Sequence, residues 1–485
     1  MGLREPDSGT PMLMRMPSRS TQQMHQYLAA TSVSMGAFCA GTVLSWTSPA
    51  LPHILSTVIN TTNLSTEADL EHPHGKPGFT ITPSQGALVG SMLTIGALIC
   101  AVPIGYLADK IGRKATILGL ATSFLINWVL ICLATDFKML LAARFFAGVG
   151  LGGICVVAPM YIGEISESSN RGKFGSFFQL FLSCGILFTC IVGYVTDWFG
   201  LTFVLGTTPI VFLATFFFMP ETPTFLVRRN RMMRAEANLR RLRGKDCDVS
   251  IELKMIEEEI FESNNSSVGI KDILSNRSNI KALIAVVGVL AFQQLCGINA
   301  MVFYTVNIFK AAGTSTSPFL LAIVITLVQV IVSYISIFVI EKANRKFYLM
   351  SSSSGMLVCL ASLGMFFHLK YLNINTSHLA FIPVGSTILY MVAFSFGYGP
   401  VPWMLLGEMF SAEIKGLASG ISILTNWIFA FVVTFSFPIM TENLGSHVTF
   451  YIIAGIMGVA TIFVHYLVPE TRGKTLQEIQ EVLRN

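Results

Sequence analysis

The chain has 485 residues, of which 53% are hydrophobic and 12% charged. Soluble domains carry about 25% charged residues, so this composition excludes an ordinary soluble globule and points to a protein built for lipid. The net charge of +5 suggests a nucleic-acid surface only if the basic residues cluster. They alternate with apolar spans instead, so no nucleic acid is expected as a partner.

Twelve apolar segments long enough to cross a bilayer can be drawn, at about 27–51, 84–107, 116–135, 139–162, 174–195, 202–219, 280–304, 318–340, 348–369, 380–406, 417–438 and 448–468. The fold class expected is all-α, with two pseudo-symmetric halves of six helices, 27–219 and 280–468. They are flanked by a polar tail (1–26), a helical linker (220–279) and a C-terminal tail (469–485). The first span starts too late and runs too long for a cleaved signal peptide. With both termini inside, 27 of the 32 Lys and Arg fall in or beside cytoplasmic segments. Lys76, Lys138, Lys310 and Lys370 fall outside and Arg144 lies within a span. That bias fixes the orientation.

In chain order, span 1 carries no charge and contains Trp46 and Pro49. The outer loop after it holds glycosylation sequons at Asn60 and Asn63; those at Asn264, Asn265 and Asn276 fall on the cytoplasmic side, where they go unused. Span 2 ends in Gly105-x-x-x-Asp109-x-x-Gly112-Arg113-Lys114, a tight turn with an acid and a base spaced to reach a neighbouring helix end. Span 4 ends in Pro159-x-Tyr161-x-x-Glu164, followed by Arg171-Gly172, and span 5 carries Gln179. Span 6 exits through Pro220-Glu221-Thr222 into the basic linker, where 234–242 and 250–261 are rich in helix formers.

Span 7 holds Gln293, Gln294 and Asn299. Three carboxamides in a membrane segment are costly unless they face protein or water. A single buried amide often just ties helices together, but three beside a glycine point to a binding site. Amides offer both donors and acceptors, which suits vicinal hydroxyls. On a straight helix Gln293 and Asn299 lie about 240° apart, so both face one cavity only if the helix breaks, and Gly297 is the place for it. Span 10 contains Gly397, Gly399, Pro400, Pro402 and Trp403, too many breakers for regular helix. A Trp there can lie against a sugar face or anchor packing. Span 11 adds Asn426.

The second half repeats the first. Glu164…Arg171-Gly172 recurs as Glu408…Lys415-Gly416, Pro220-Glu221-Thr222 as Pro469-Glu470-Thr471, and Asp109…Arg113 as Glu341…Arg345. Parallel six-span repeats with a site between them describe a carrier. No CxxC, HExxH or Gly-rich Lys loop is present, so neither a metal, another cofactor nor an enzyme activity is expected. Eight of the nine cysteines lie in spans and Cys247 in the linker, which implies no disulfide framework.

The Gln293-Gln294-x-x-Gly297-Ile298-Asn299-x-x-x-Phe303-Tyr304 run resembles a motif of the sugar porters, the facilitative glucose transporter family within the major facilitator superfamily. The likeness covers about residues 30–480. It is greatest to the insect facilitated trehalose transporters, notably in Trp46-Thr47-Ser48-Pro49. The resemblance implies sugar contacts from Gln179, Gln293, Gln294, Asn299, Gln329, Trp403 and Asn426, and an outer-gate role for Tyr304. In an alternating-access reading, ion pairs among Asp109, Arg113, Glu164, Arg171, Glu341, Arg345, Glu408 and Lys415 would hold an inner gate, and Gly399, Pro400 and Pro402, at the break in span 10, count with the gate residues. Three positions depart from the family. Gln329 stands for an Asn, Ser395 for a sugar-bonding Glu, and Lys415 for an Arg, which trades a bidentate fork for a point charge. Proton-linked relatives place an Asp where this chain has Val43. The reading is a plasma-membrane uniporter of trehalose or a hexose such as glucose, with no obligate protein partner. A proton symporter and a non-transporting sensor are the alternatives.

Overall fold

The computed structural model describes residues 24–60, 81–167, 171–244, 248–265, 277–314, 316–339, 344–410, 414–472, 474 and 476–484. Asn63 and Glu341 lie outside them, as do the side chains of Asn60, Arg171 and Lys415.

Among the described residues the elements are helical, and twelve spans are long and apolar enough to cross a membrane. The first six-helix half comprises α1 (Met24–Ser45) with α2 (Thr47–Asn60), α3 (Pro83–Ile111), α4 (Arg113–Cys132), α5 (Phe137–Ile165), α6 (Arg171–Val195) and α7 (Trp198–Phe216). The linker forms α8 (Pro223–Arg228), α9 (Met232–Arg243) and α10 (Ser250–Asn265). The second half comprises α11 (Arg277–Leu295) with α12 (Ile298–Ala312), α13 (Pro318–Val339), α14 (Arg345–Tyr371), α15 (Phe381–Phe396) with α16 (Val401–Glu408), α17 (Lys415–Asn443) and α18 (Ser446–Leu467). The short α19 (Leu476–Arg484) follows.

Three spans are broken, each for a local reason. In span 1 the chain turns at Trp46, between α1 and α2. Pro49 has no N–H to offer the Ser45 carbonyl one turn back, and the Val43 carbonyl is taken by Arg144 Nη1 at 2.7 Å. In span 7 Gly297 adopts φ +86°, ψ 14°, the left-handed region that glycine enters without penalty. In span 10 α15 ends at Phe396 and α16 begins at Val401, with two prolines in between and just beyond.

The repeat in the sequence is also a repeat in packing. α1 packs on α6 and α4 on α5, as α11 packs on α17 and α14 on α15. The two largest seams between the halves, α3 on α17 and α6 on α13, are counterparts under the same exchange, and α2 also packs on α12. Within the first half the helices meet backbone to backbone. A β-carbon on Gly96 would strike the Phe145 carbonyl and one on Gly148 the Leu93 carbonyl, with the same reciprocity between Gly41 and Gly185. Small residues permit such close approach between membrane helices.

Candidate functional site

The amides of span 7 form one directional chain of hydrogen bonds across three spans. Asn299 Nδ2 donates to Gln294 Oε1 at 2.6 Å, and Gln294 Nε2 donates to Asn426 Oδ1 at 3.2 Å. Asn426 Nδ2 in turn donates to Gln293 Oε1 at 3.0 Å and to the Leu290 carbonyl at 3.1 Å. Gln293 Nε2 closes the chain on the carbonyls of Tyr398 (2.7 Å) and Gly399 (3.1 Å) in the break of span 10. Pro402 cannot donate to the Tyr398 carbonyl, because it has no N–H; the amide of Gln293 takes its place. Gln293 therefore has a backbone-satisfying task that the sequence did not disclose. All four amides are buried, at 1–9% exposure, and each is paired, as a low-dielectric setting requires.

The turn at Gly297 makes the arrangement possible. It brings Asn299 back over Gln294, five residues earlier, which a continuous helix does not allow. Tyr390 fixes the turn from α15 by donating to the Cys296 carbonyl at 2.9 Å, while Cys296 Sγ reaches the Gln293 carbonyl at 2.9 Å.

The remaining residues expected at the site surround this chain more loosely. Gln329 on α13 is buried, and its Oε1 has no hydrogen-bond partner in the protein. Gln179 on α6 is half-buried and Trp403 on α16 is 37% exposed, so neither is locked into the amide chain. Ser395, at the end of α15, is buried. Tyr304 sits at a second kink in span 7 (φ −119°, ψ 16°). Its hydroxyl donates to the Thr434 carbonyl at 3.2 Å, and its ring stacks on Phe437 at 5.8 Å. A β-carbon on Gly90 of α3 would lie 2.7 Å from that hydroxyl, so Tyr304 also abuts the other half.

At the linker end, two ion-paired clusters occupy equivalent places. Arg113, 2% exposed, bonds Asp109 at 2.8 Å, Glu164 at 2.9 Å and the Ala108 carbonyl at 3.1 Å. Arg345 bonds Glu408 at 3.3 Å, and Glu408 also accepts from Thr471 at 2.5 Å. Among the described residues the partner of Glu164 is therefore Arg113, from span 3. Asp109 is shared with Arg228 of α8 at 2.8 Å, which ties the linker to this cluster.

Sequence reasoning gave no role to the two Pro-Glu-Thr glutamates, although their repetition was visible. Glu221 accepts from the backbone N–H groups of Arg113 and Lys114, at 3.1–3.2 Å. Glu470 does the same for Arg345 (3.0 Å) and Lys346 (3.1 Å). Each carboxylate thus caps the start of the third helix of its half, where unpaired N–H groups and the helix dipole favour negative charge. Gly112 has φ +106°, and a β-carbon there would strike Glu221 Oε2. Burial pushes the Glu221 carboxyl above the usual carboxylate range, against the pull of the Thr222 and Lys114 N–H groups and of Arg113.

Twelve spans in two packed repeats, with a buried amide chain bridging the breaks of spans 7 and 10, define a multi-pass membrane protein of the major facilitator fold. The chain belongs to the sugar transporter family, "Sugar (and other) transporter", which it matches over residues 27–483. It is 36% identical over 457 residues to a facilitated trehalose transporter of Anopheles gambiae, covering 94% of this chain and 55% of that protein. A second such transporter, from Culex quinquefasciatus, is 35% identical over 457 residues, covering 94% and 85%. The chain thus spans about half the length of several curated relatives it matches. Among solved structures, the partially occluded inward-open xylose transporter XylE of E. coli superposes with a TM-score of 0.76 at 22% identity, covering 93% of this chain and 100% of that one. The proton:xylose symporter XylE bound to 6-bromo-6-deoxy-D-glucose gives 0.74 at 23% identity, covering 96% and 100%.

Proposed function

We propose that the protein carries a neutral sugar, trehalose or a hexose, passively across the plasma membrane by alternating access. The observation that carries this reading is the closed chain of amides from Asn299 to the broken span 10. Each amide holds bonds that a sugar hydroxyl can replace one for one, since a hydroxyl both donates and accepts. The exchange is nearly even, so affinity is weak, in the millimolar range, about −4 kcal/mol. Gln294, Asn299 and Asn426 supply the exchangeable bonds. Gln293 positions the chain, and Gln179, Gln329 and Trp403 complete the lining. The names of the curated relatives support trehalose as the first sugar to test.

In this reading both termini and α8–α10 are cytoplasmic, residues 27–219 and 280–468 rock as two units, and Asn60 and Asn63 face outward, where glycans attach. The clusters around Arg113 and Arg345 close the inner gate, with Arg171, Glu341 and Lys415 in the same groups; Tyr304 closes the outer one, and the break at Gly399, Pro400 and Pro402 flexes. Proton coupling needs a titratable group in the membrane. Here the buried Arg144 bonds the backbone carbonyl of Val43, and span 1 has no acid, which favours uniport over symport.

Tracer uptake into expressing cells, competed by unlabelled sugars, tests the reading. Uptake should stop at the outside concentration and be indifferent to a protonophore. Accumulation that a protonophore collapses would mean symport; specific binding without uptake would mean a sensor.

A further inference from the structure

Arg144 lies about two turns into α5 and is 0% exposed. Its Nη1 is held by the Val43 carbonyl, while Nε and Nη2 are buried without a hydrogen-bond partner in the protein. Those two nitrogens share one edge of the guanidinium, the fork that grips a carboxylate or another anion. Among the described residues no carboxylate forms an ion pair with it.

The turn of span 1 lies against the same side chain. The guanidinium carbon is 5.1 Å from the centre of the Trp46 ring. Trp46 Nε1 is buried and unpartnered, and so are the hydroxyls of Thr47 and Ser48, the first two residues of α2. Together with the fork, these are three obligate donors and two hydroxyls able to donate, at the positive end of a helix dipole and beside a fixed cation. A buried cation with one carbonyl for company is expensive. The Trp46 face offsets part of that cost, but the face does not serve the edge.

We infer that Arg144, with Trp46, Thr47 and Ser48, all from the first six-helix half, forms a site for a small monovalent inorganic anion such as chloride. Water or a sugar hydroxyl would satisfy the donors but leave the charge uncompensated; an anion does both. Trp46 and Arg144 are 0% exposed, and Trp46 packs edge-on to Trp198 at 5.3 Å, so an ion fits this setting better than a sugar ring. The inference does not depend on which sugar is carried.

The test is thermal unfolding of the full chain in lipid nanodiscs, in sodium methanesulfonate, with chloride or bromide exchanged in at constant ionic strength. The melting temperature should rise and saturate with either halide. Trp46→Phe keeps the ring and removes the indole N–H, and should raise the half-saturating chloride about tenfold or more. Val43→Asp supplies a carboxylate on the turn Arg144 already touches, and should abolish the halide response. No halide-specific rise in the wild type would overturn the inference, as would an unchanged response in Trp46→Phe. A rise with trehalose but not with halide, lost in Trp46→Phe, would make the fork a sugar subsite and overturn it too. If Val43→Asp does not fold, Trp46→Phe alone decides.

Discussion

Asn299 donates to Gln294 at 2.6 Å across the left-handed turn at Gly297, so the residue that breaks span 7 also determines which amides meet. Gln294→Ala removes an acceptor from Asn299 and a donor from Asn426 at once. Sugar binding should weaken by about 1–3 kcal/mol, the cost of leaving buried polar groups unpaired. Cys296→Ala loses a thiol contact to a carbonyl and a long one from the Tyr390 hydroxyl, which keeps its bond to the Cys296 carbonyl, and should bind within about threefold of wild type, since a thiol is a weak donor and acceptor. Equilibrium binding of labelled sugar to both variants checks the contrast; unchanged affinity in Gln294→Ala would place the sugar elsewhere.

Gly297 is constrained by its backbone alone. A β-carbon there would meet Ile453 at an ordinary 3.5 Å, so Gly297→Ala should destabilise by about 1–2 kcal/mol through the positive φ. Gly297→Asn should recover part of the loss, because Asn enters the left-handed region more readily. Melting temperatures of the two variants read this out, and equal values would contradict it.

If Glu164 and Glu408 gate as proposed, they should set the balance between outward- and inward-facing states. Glu164→Gln leaves Arg113 its bonds to Asp109 and Ala108, and Glu408→Gln weakens the contacts to Arg345 and Thr471. Partly hydrated ion pairs contribute about 0–1 kcal/mol each, so either change should shift the population inward by up to about fivefold. A single cysteine in the cytoplasmic vestibule should label faster in Glu408→Gln than in wild type at equal expression. Equal rates would mean that these carboxylates serve insertion, not gating.

Glu221 gives a pH signature. Its carboxyl is raised above its ordinary range, chiefly by burial, so the folded protein binds this proton more tightly than the unfolded chain does. The contribution to stability is therefore full below the unfolded carboxylate range and fades as pH rises through the raised folded value. Relative to Glu221→Gln, wild type should gain melting temperature as pH falls from 7 towards 4. A difference that does not vary with pH would refute the assignment.

Much of this was legible in the residues. The twelve spans followed from apolar runs, and the break at Gly297 from the phase of Gln293 and Asn299. Pro400 and Pro402 announced the break in span 10. What escaped were contacts between distant segments. Glu221 reads locally as a solvated charge after a helix end, because its partners are N–H groups 108 residues earlier. Repeat arithmetic matched Glu164 to Glu408 as equivalents but could not find their partners; Arg113 arrives from another span. The sugar-facing appearance of Gln293 concealed its service to the carbonyls that Pro402 leaves without a donor.

The glycine seams of the first half have a mechanical corollary. Where Gly96 meets Gly148 and Gly41 meets Gly185, main chain rests on main chain, with no side chain to act as a cushion. In the second half Gly288 lies against the ring of Phe463, which can swing to a new rotamer, while Gly397 rests on the Tyr348 carbonyl beside the break in span 10. The two glycine seams are thus stiff parts of the first half, whereas the second half has two interrupted spans. Bending during a transport cycle should concentrate in spans 7 and 10, and sequence drift along the seams should be restricted to residues no larger than glycine.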